Sequence, residues 1–253
     1  MSSIGMYLYG FTTAECSPGE GLRGLADAPV RLVTFGDLAA VVSDHPVQKF
    51  TPTRSNLEPH HRVVREVCGR HVLIPAAFGH LSETEEQLLV VLRENCSAIR
   101  AELERLTGKV ELGLKLRWNV ENIFAYLVLC DNQLREARDR VFRKSQASFD
   151  EKIAVGSLFE ARLSSERNRL SDILWSGLDQ AIYDKRVNPP RDEKTVCNAA
   201  LLIERRRSIE FAQALEETAG FFDSSFALEY NGPWPPYSFV NLRLHHAAHA
   251  QNA

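Results

Sequence analysis

A chain of 253 residues, 44% hydrophobic and 25% charged, has the length of one large domain or two ordinary ones and the composition of a soluble globular protein. A net charge of −3 argues against a nucleic acid or an anionic membrane surface as the main partner. Cys16, Cys68, Cys96, Cys130 and Cys197 are odd in number, widely spaced and without a Cys-x-x-Cys pair, which fits reduced thiols better than a disulfide framework. No basic-then-apolar leader is present and no apolar run approaches the ~18 residues of a spanning helix, so a cytoplasmic location is expected.

The first half alternates short strands with helices. Met6 to Phe11 is an apolar, aromatic run and is expected to be a strand. Residues 12–28 carry Pro18, Gly19, Gly21 and Gly24 and form a loop. Val30–Phe35 and Leu38–Ser43 flank Gly36-Asp37, the pattern of a β-hairpin. A helix is predicted from Pro59 to Arg70, with Pro in its first turn and Val63, Val64 and Val67 inward. Val72–Phe78 is a strand whose Pro75 marks an edge or a bulge. Ser82-x-x-Glu85 has the form of a capping box opening one helix through Leu88, Leu92, Cys96, Ile99, Leu103 and Leu106 to Gly108.

The second half opens on strict alternation. Val110, Leu112, Leu114, Leu116 and Trp118 face one way, and charged residues and Gly113 the other. Residues 120–128 and 133–144 read as helical. Residues 150–183 form a long amphipathic helix whose middle, Arg162–Arg169, is poor in apolar residues and is expected to project beyond the body. Strands at 185–189 and 196–204, a helix at 208–220 and a strand at 226–230 complete the order of a split βαβ unit. The fold class is therefore α+β. Two packed α/β-sandwich modules are expected, residues 1–108 and 109–241, the second ferredoxin-like with a long helical insertion, followed by a flexible tail at 242–253.

Several motifs carry less than their letters suggest. Gly19-Glu-Gly-Leu-Arg-Gly24 has the G-x-G-x-x-G spacing, but no strand runs straight into it and Pro29 cuts short any helix leaving it, so it is expected to be a surface loop. His245-His246-x-x-His249 has the spacing of a zinc pair without an acidic or thiolate ligand nearby, and a tail with at most adventitious metal affinity is expected. His45, His60, His61, His71 and His80 fall in loops and element ends. Nucleophile elbows, Walker loops and H-E-x-x-H do not occur, so no catalytic, cofactor-binding or metal residue is nominated. Arg205-Arg206-Arg207 precedes a helix start, where cations are disfavoured unless something acidic meets them, and is a candidate partner-binding surface.

The most distinctive stretch is Tyr230-Asn-Gly-Pro-Trp-Pro-Pro-Tyr-Ser-Phe-Val240. Pro233, Pro235 and Pro236 fix φ and remove three donors, excluding a helix or an inner strand. Trp234, Tyr237 and Phe239 add large apolar faces to a stiff segment. Asn231-Gly232 is a turn signal that should end the preceding strand. A structural clasp across its own domain is expected, with Gly232, Pro233, Trp234, Pro235, Pro236 and Tyr237 as its signature.

This stretch resembles the C-terminal signature of the gas vesicle protein F/L family. The blocks Met6-Tyr-Leu-Tyr-Gly10, Leu38-Ala-Ala-Val-Val-Ser-Asp44, Val72-Leu-Ile-Pro75 with Phe78-Gly79, Glu111 with Gly113-Leu-Lys115, and Asn198-Ala-Ala200 are similar to that family's and stand in the same order. The chain departs from it at Ala77, His80 and Leu201, and in continuing through Leu242 to Ala253. The resemblance implies an accessory or minor structural protein of gas vesicle assembly, with the apolar major shell protein and other accessory proteins as partners; charge, composition and the absence of site motifs add the expectation of no cofactor, nucleic acid or membrane. Self-association is an open alternative. The competing class is a small-ligand or cofactor-binding enzyme on a ferredoxin-like fold.

Overall fold

The computed structural model describes residues 4–48, 50–143 and 148–244. The chain divides into two units, each built on one β-sheet. The first holds the described residues of Met1–Glu111 and Pro233–Ala253, the second Leu112–Gly232. The Pro/aromatic segment thus belongs with the N-terminal half, not with the 109–241 module in which the sequence order had placed it.

In the first unit, β1 (Ile4–Thr13), β2 (Val30–Phe35) and β3 (Leu38–Pro46) form the sheet with two two-residue strands, β4 (Ile74–Pro75) and β5 (Leu81–Ser82). The spatial order is β2-β3-β1-β4, with β5 also on β1. The β2–β3 hairpin closes with Phe35 opposite Leu38. Its two-residue loop needs a left-handed backbone, which Gly36 supplies at φ +61°. Leu38 to Ser43 are buried without alternation, because the sheet is covered on both faces. Between Leu8 and Gly10 the β1–β3 register shifts. That bulge places Leu8 and Phe11, opposite Val42 and Ala40, on one face, and Tyr7, opposite Ser43, on the other.

Three helices accompany this sheet: α1 (Arg54–Arg70), α2 (Glu85–Glu94) and α3 (Cys96–Leu106). α1 packs its Val63, Val64 and Val67 against Tyr7, Tyr9, Val41 and Leu73. It starts at Arg54, five residues before the expected proline, and Pro59 lies inside it. The expected strand at 72–78 shrinks to Ile74–Pro75, since proline cannot continue the ladder. The single helix expected from Ser82 is two. Ser82 lies in β5, and Thr84 is the cap, its Oγ1 accepting the Gln87 N–H at 3.2 Å. Asn95, at φ −112° and ψ 14°, then breaks the helix while its side chain donates to the Val91 carbonyl at 2.8 Å.

The second unit runs β6 (Lys109–Trp118), α4 (Ile123–Cys130), α5 (Asn132–Phe142), α6 (Phe149–Leu178), β7 (Asp184–Val187), β8 (Thr195–Glu204), α7 (Ser208–Ala219) and β9 (Phe226–Trp234). Its sheet order is β7-β8-β6-β9, so the first strand of the unit lies between the third and the fourth. The alternation in β6 is as the sequence pattern requires, with Leu112, Leu114, Leu116 and Trp118 buried. Ser148 and Glu151 form a reciprocal capping box at the start of α6. The middle of α6 does not project. Leu163 and Leu170 are buried, and Arg167 donates to the carbonyls of Asp192, Glu193 and Thr195 at 2.9–3.0 Å. Its guanidinium also lies 6.0 Å from the Trp118 ring centroid. A residue that reads as solvated in sequence is here a strut for the loop before β8.

Where α6 meets α7, Gly177 admits Thr218: a Cβ at 177 would fall 2.1 Å from Thr218 Oγ1. Replacing an interior helical Gly by Ala ordinarily adds about 1 kcal/mol of stability. Gly177→Ala is expected to lower the unfolding midpoint instead, and Gly177→Ala with Thr218→Ala to recover part of the loss in a urea titration. A stabilised single variant would contradict this packing.

Candidate functional site

The residues that stand out chemically gather in the first unit, around a histidine that sequence reading had placed at an element end. His60 lies inside α1, fully buried. With Val63, Val64 and Val67 it completes an i, i+3, i+4, i+7 stripe. That periodicity was available in the sequence; treating Pro59 as the helix start concealed it.

Tyr7 and Tyr9, two apart in β1, both reach the side of the sheet that α1 covers. Tyr7 Oη lies 2.9 Å from His60 Nδ1, and His60 Nε2 lies 3.0 Å from Tyr237 Oη. The Gly79 N–H donates to Tyr7 Oη at 3.0 Å. Tyr9 Oη meets Ser43 Oγ at 2.8 Å and accepts the Leu25 N–H at 2.8 Å. Phe50 and Phe78 stand edge-on or tilted to the Tyr7 ring at 4.9 and 6.1 Å between centroids. A neutral imidazole offers one donor and one acceptor, so the Tyr7–His60–Tyr237 relay is satisfied in either tautomer. Burial, reinforced by His61, pulls the His60 pKa from 6.5 down to about 4. Burial likewise pushes the phenols of Tyr7 and Tyr237 above their ordinary range.

Tyr237 comes from the Pro/aromatic segment. β9 does not stop at the Asn231-Gly232 turn signal but continues to Trp234, as an edge strand in which the missing donor of Pro233 is tolerated. Gly232 takes φ +123°. Gly113 leaves room for Asn231, whose Oδ1 would lie 2.7 Å from an added Cβ. Pro235 and Pro236 are buried and lead into a 3-10 turn, Tyr237–Phe239. Three fastenings follow one another there. Tyr237 joins His60; Ser238 donates its N–H and hydroxyl to the two oxygens of Glu111 at 2.8 and 2.6 Å; and the Asn241 N–H donates to Glu102 at 2.7 Å. Glu102 is itself held in a bidentate pair by Arg105, at 2.9 and 2.8 Å. Arg105 also donates to the Phe239 carbonyl. Phe239 is fully buried. Beside the segment lies a groove of about 340 Å³ lined by His61, Arg65, Glu111, Trp234, Pro235 and Tyr237.

The other sequence candidates are placed apart from this cluster. Arg205–Arg207 form a 3-10 turn before α7. Arg206 pairs with Glu204 at 2.7 Å and Arg207 with Glu210 at 2.6 Å, while Arg207 also donates to the Gln180 carbonyl at 3.0 Å. Local carboxylates thus offset the repulsion from the helix start. Gly19–Gly24 leads into a single 3-10 turn, Leu25–Asp27. Gly24 passes so close to Tyr9 that a Cβ would sit 1.9 Å from its hydroxyl. His245, His246 and His249 lie outside the described residues. Among the described residues no group of His, Cys, Asp and Glu is placed to hold a metal ion, and the five cysteines form no disulfide.

Because the folded pKa of His60 lies below its unfolded value, the unfolded chain takes up the proton first as pH falls. Stability contributed by neutral His60 is present above pH 6.5 and declines as pH falls from 6.5 to about 4. At 1.36 kcal/mol per pKa unit the span is about 3 kcal/mol. His60→Gln is expected to flatten the stability profile in this window relative to the parent chain in urea titrations at stepped pH; an unchanged slope would contradict the buried neutral imidazole. Tyr237→Phe, which leaves His60 Nε2 without its partner, is expected to cost about 1–3 kcal/mol in the same titration at pH 7.

The model of the family described as gas vesicle synthesis protein GvpL/GvpF matches residues 5–241. Similar chains include gas vesicle protein F of Streptomyces sp. (strain CB03234), 29% identical across 92% of this chain and 98% of that one. Gas vesicle protein F of Dolichospermum flosaquae is 25% identical across 95% and 99%. In fold, the chain is similar to the crystal structure of the gas vesicle protein GvpF from Anabaena sp. PCC7120, with a TM-score of 0.85 at 24% identity over 96% of this chain and 100% of that one. It is also similar to that of GvpF from Microcystis aeruginosa, with a TM-score of 0.79 at 23% identity over 94% and 99%. A match that begins in β1 and ends at Asn241, the last fastening of the clasp, takes in both units, and the chain belongs to the gas vesicle synthesis protein GvpL/GvpF family.

Proposed function

We propose that this protein binds the apolar major shell protein of the gas vesicle wall, together with other accessory proteins, and so assists formation of the vesicle in the cytoplasm. Family membership supports the broader part of this reading, a role in gas vesicle assembly. The finer part rests on one observation. At the ends of α5 and α6, Phe142 is 80% and Phe149 76% exposed, and Ile153, one helical turn on from Phe149, is 51% exposed. Large apolar side chains held out by helix ends are what a partner with apolar surface would cover.

The chemistry needed is that of holding. A wall subunit with apolar surface open before assembly would aggregate, and a folded partner that covers it keeps it available for growth of the wall. Arg206, whose side chain is 84% exposed beside Glu204, offers a charge at which acidic accessory partners could be steered.

Co-purification of this chain with the major shell protein from vesicle-forming cells is the test. Phe142→Glu with Phe149→Glu is expected to weaken capture about tenfold or more while leaving the free energy of unfolding within about 0.5 kcal/mol of the parent, since exposed sites tolerate polar replacement. Capture of no shell protein by the parent chain would overturn the proposal. Undiminished capture by the double variant would remove α5 and α6 as the contact.

A further inference from the structure

The clasp leaves one of its aromatic residues open. Phe239 is fully buried and Tyr237 is bonded to His60, but Trp234 keeps 46% of its surface exposed. It helps to wall the groove of about 340 Å³ beside the segment. That volume is at the lower end of the range of about 300–1,000 Å³ for ligand sites, room for one large side chain rather than for a cofactor.

The walls are set before anything binds. Pro235 is buried and its ring fixes φ. Tyr237 is pinned at its hydroxyl by His60 Nε2, and the His61 ring stands edge-on to it at 6.0 Å. His61 and Arg65, which also line the groove, come from the outer face of α1, one turn apart, because His60, Val63, Val64 and Val67 take the inner face. Preformed walls reduce the ordering cost of binding. The charges of the lining are unevenly engaged. Glu111 has both oxygens taken by Ser238, and Glu66, next to Arg65 in α1, pairs with Arg70 at 3.2 Å. Arg65 itself is exposed and makes no hydrogen bond or ion pair among the described residues.

We infer that this groove docks an acidic segment of a partner protein, anchored by an aromatic side chain next to a carboxylate. The ring packs against Trp234 and Tyr237, and the carboxylate pairs with Arg65. Each half of that match answers a different feature of the lining. An aromatic ring covers apolar ring surface that is open to water, and a carboxylate gives the guanidinium a charge-assisted, two-pronged partner. A basic segment is repelled by Arg65, and a purely apolar one desolvates the guanidinium without pairing it. This surface lies in the first unit, whereas the exposed phenylalanines of α5 and α6 lie in the second. The inference therefore stands or falls apart from the shell-protein reading.

The probe is a fluorescein-labelled peptide carrying Glu-Phe-Glu between Gly-Ser flanks, titrated with the full chain and followed by anisotropy. It is expected to bind, with Lys-Phe-Lys and Glu-Ala-Glu versions weaker by about tenfold or more. Arg65→Gln is expected to weaken Glu-Phe-Glu about tenfold and to abolish its advantage over Gln-Phe-Gln. Trp234→Ala is expected to bring Glu-Phe-Glu down to the level of Glu-Ala-Glu. Thermal unfolding first shows each variant to be folded, and Arg65→Gln, on an exposed helix face, decides the matter if Trp234→Ala does not fold. No binding of Glu-Phe-Glu, equal binding of Lys-Phe-Lys, or undiminished binding by Arg65→Gln would overturn the inference. So would N-acetylphenylalanine displacing the labelled peptide as readily as unlabelled peptide does, since the groove would then be a site for a small aromatic acid.

Discussion

One neutral imidazole, fully buried and bonded at both nitrogens, sets the conditions for the first unit. His60, buried, finds a partner for each ring nitrogen on two segments far apart in sequence, Tyr7 on β1 and Tyr237 in the clasp. A buried donor or acceptor left open costs about 1–3 kcal/mol, so α1, the sheet and the clasp cannot drift independently. Gly79 ties a fourth segment to the same hydroxyl. Met6–Gly10, Phe78-Gly79 and the Pro/aromatic segment, which look like separate motifs in the sequence, thus meet in one bonded network.

The clasp adds carboxylates to that network, and their arrangement explains why burying charge is tolerable here. Glu102 is buried to 7% exposure, a position that would be costly for a lone carboxylate. It accepts two forks from Arg105 and the Asn241 N–H, while Arg105 in turn holds the Phe239 carbonyl. Lys109 closes the carbonyl of Arg105 at 2.7 Å. Each group satisfies the next, so deleting one member leaves others exposed to the full desolvation penalty. The first unit is moreover discontinuous. Its clasp returns only after Leu112–Gly232 have been made, so closing it carries the loop entropy of a long intervening chain. Late, long-range closure of this kind slows folding relative to the local hairpin β2–β3.

How far this was readable beforehand depends on the range of the interaction. Strict alternation from Val110 to Trp118 and the Gly36-Asp37 hairpin are local patterns, and the fold follows them. The break at Asn95 and the cap at Thr84 were hidden, because Ser82-x-x-Glu85 has the right letters but Ser82 is already engaged in β5. Arg167 was misread for the opposite reason. Its partners are the backbone carbonyls of the loop before β8, which no pattern in α6 announces. The clasp was visible as a stiff aromatic segment. Its destination was not, since the return to the first unit is settled by His60, Glu111 and Glu102, which in sequence look like an element end and two surface acids.

A histidine between two phenols resembles a proton relay, and the electrostatics decide what it is for. A general base at neutral pH needs a pKa near 7 and reach to a substrate proton. Burial pulls the His60 pKa down to about 4, the ring is fully buried, and both nitrogens are already bonded within the fold. Tyr7 and Tyr237 have phenol pKa values raised by the same burial, so neither is poised to ionise. The relay's work is mechanical: it keeps the Pro/aromatic segment seated on the first unit.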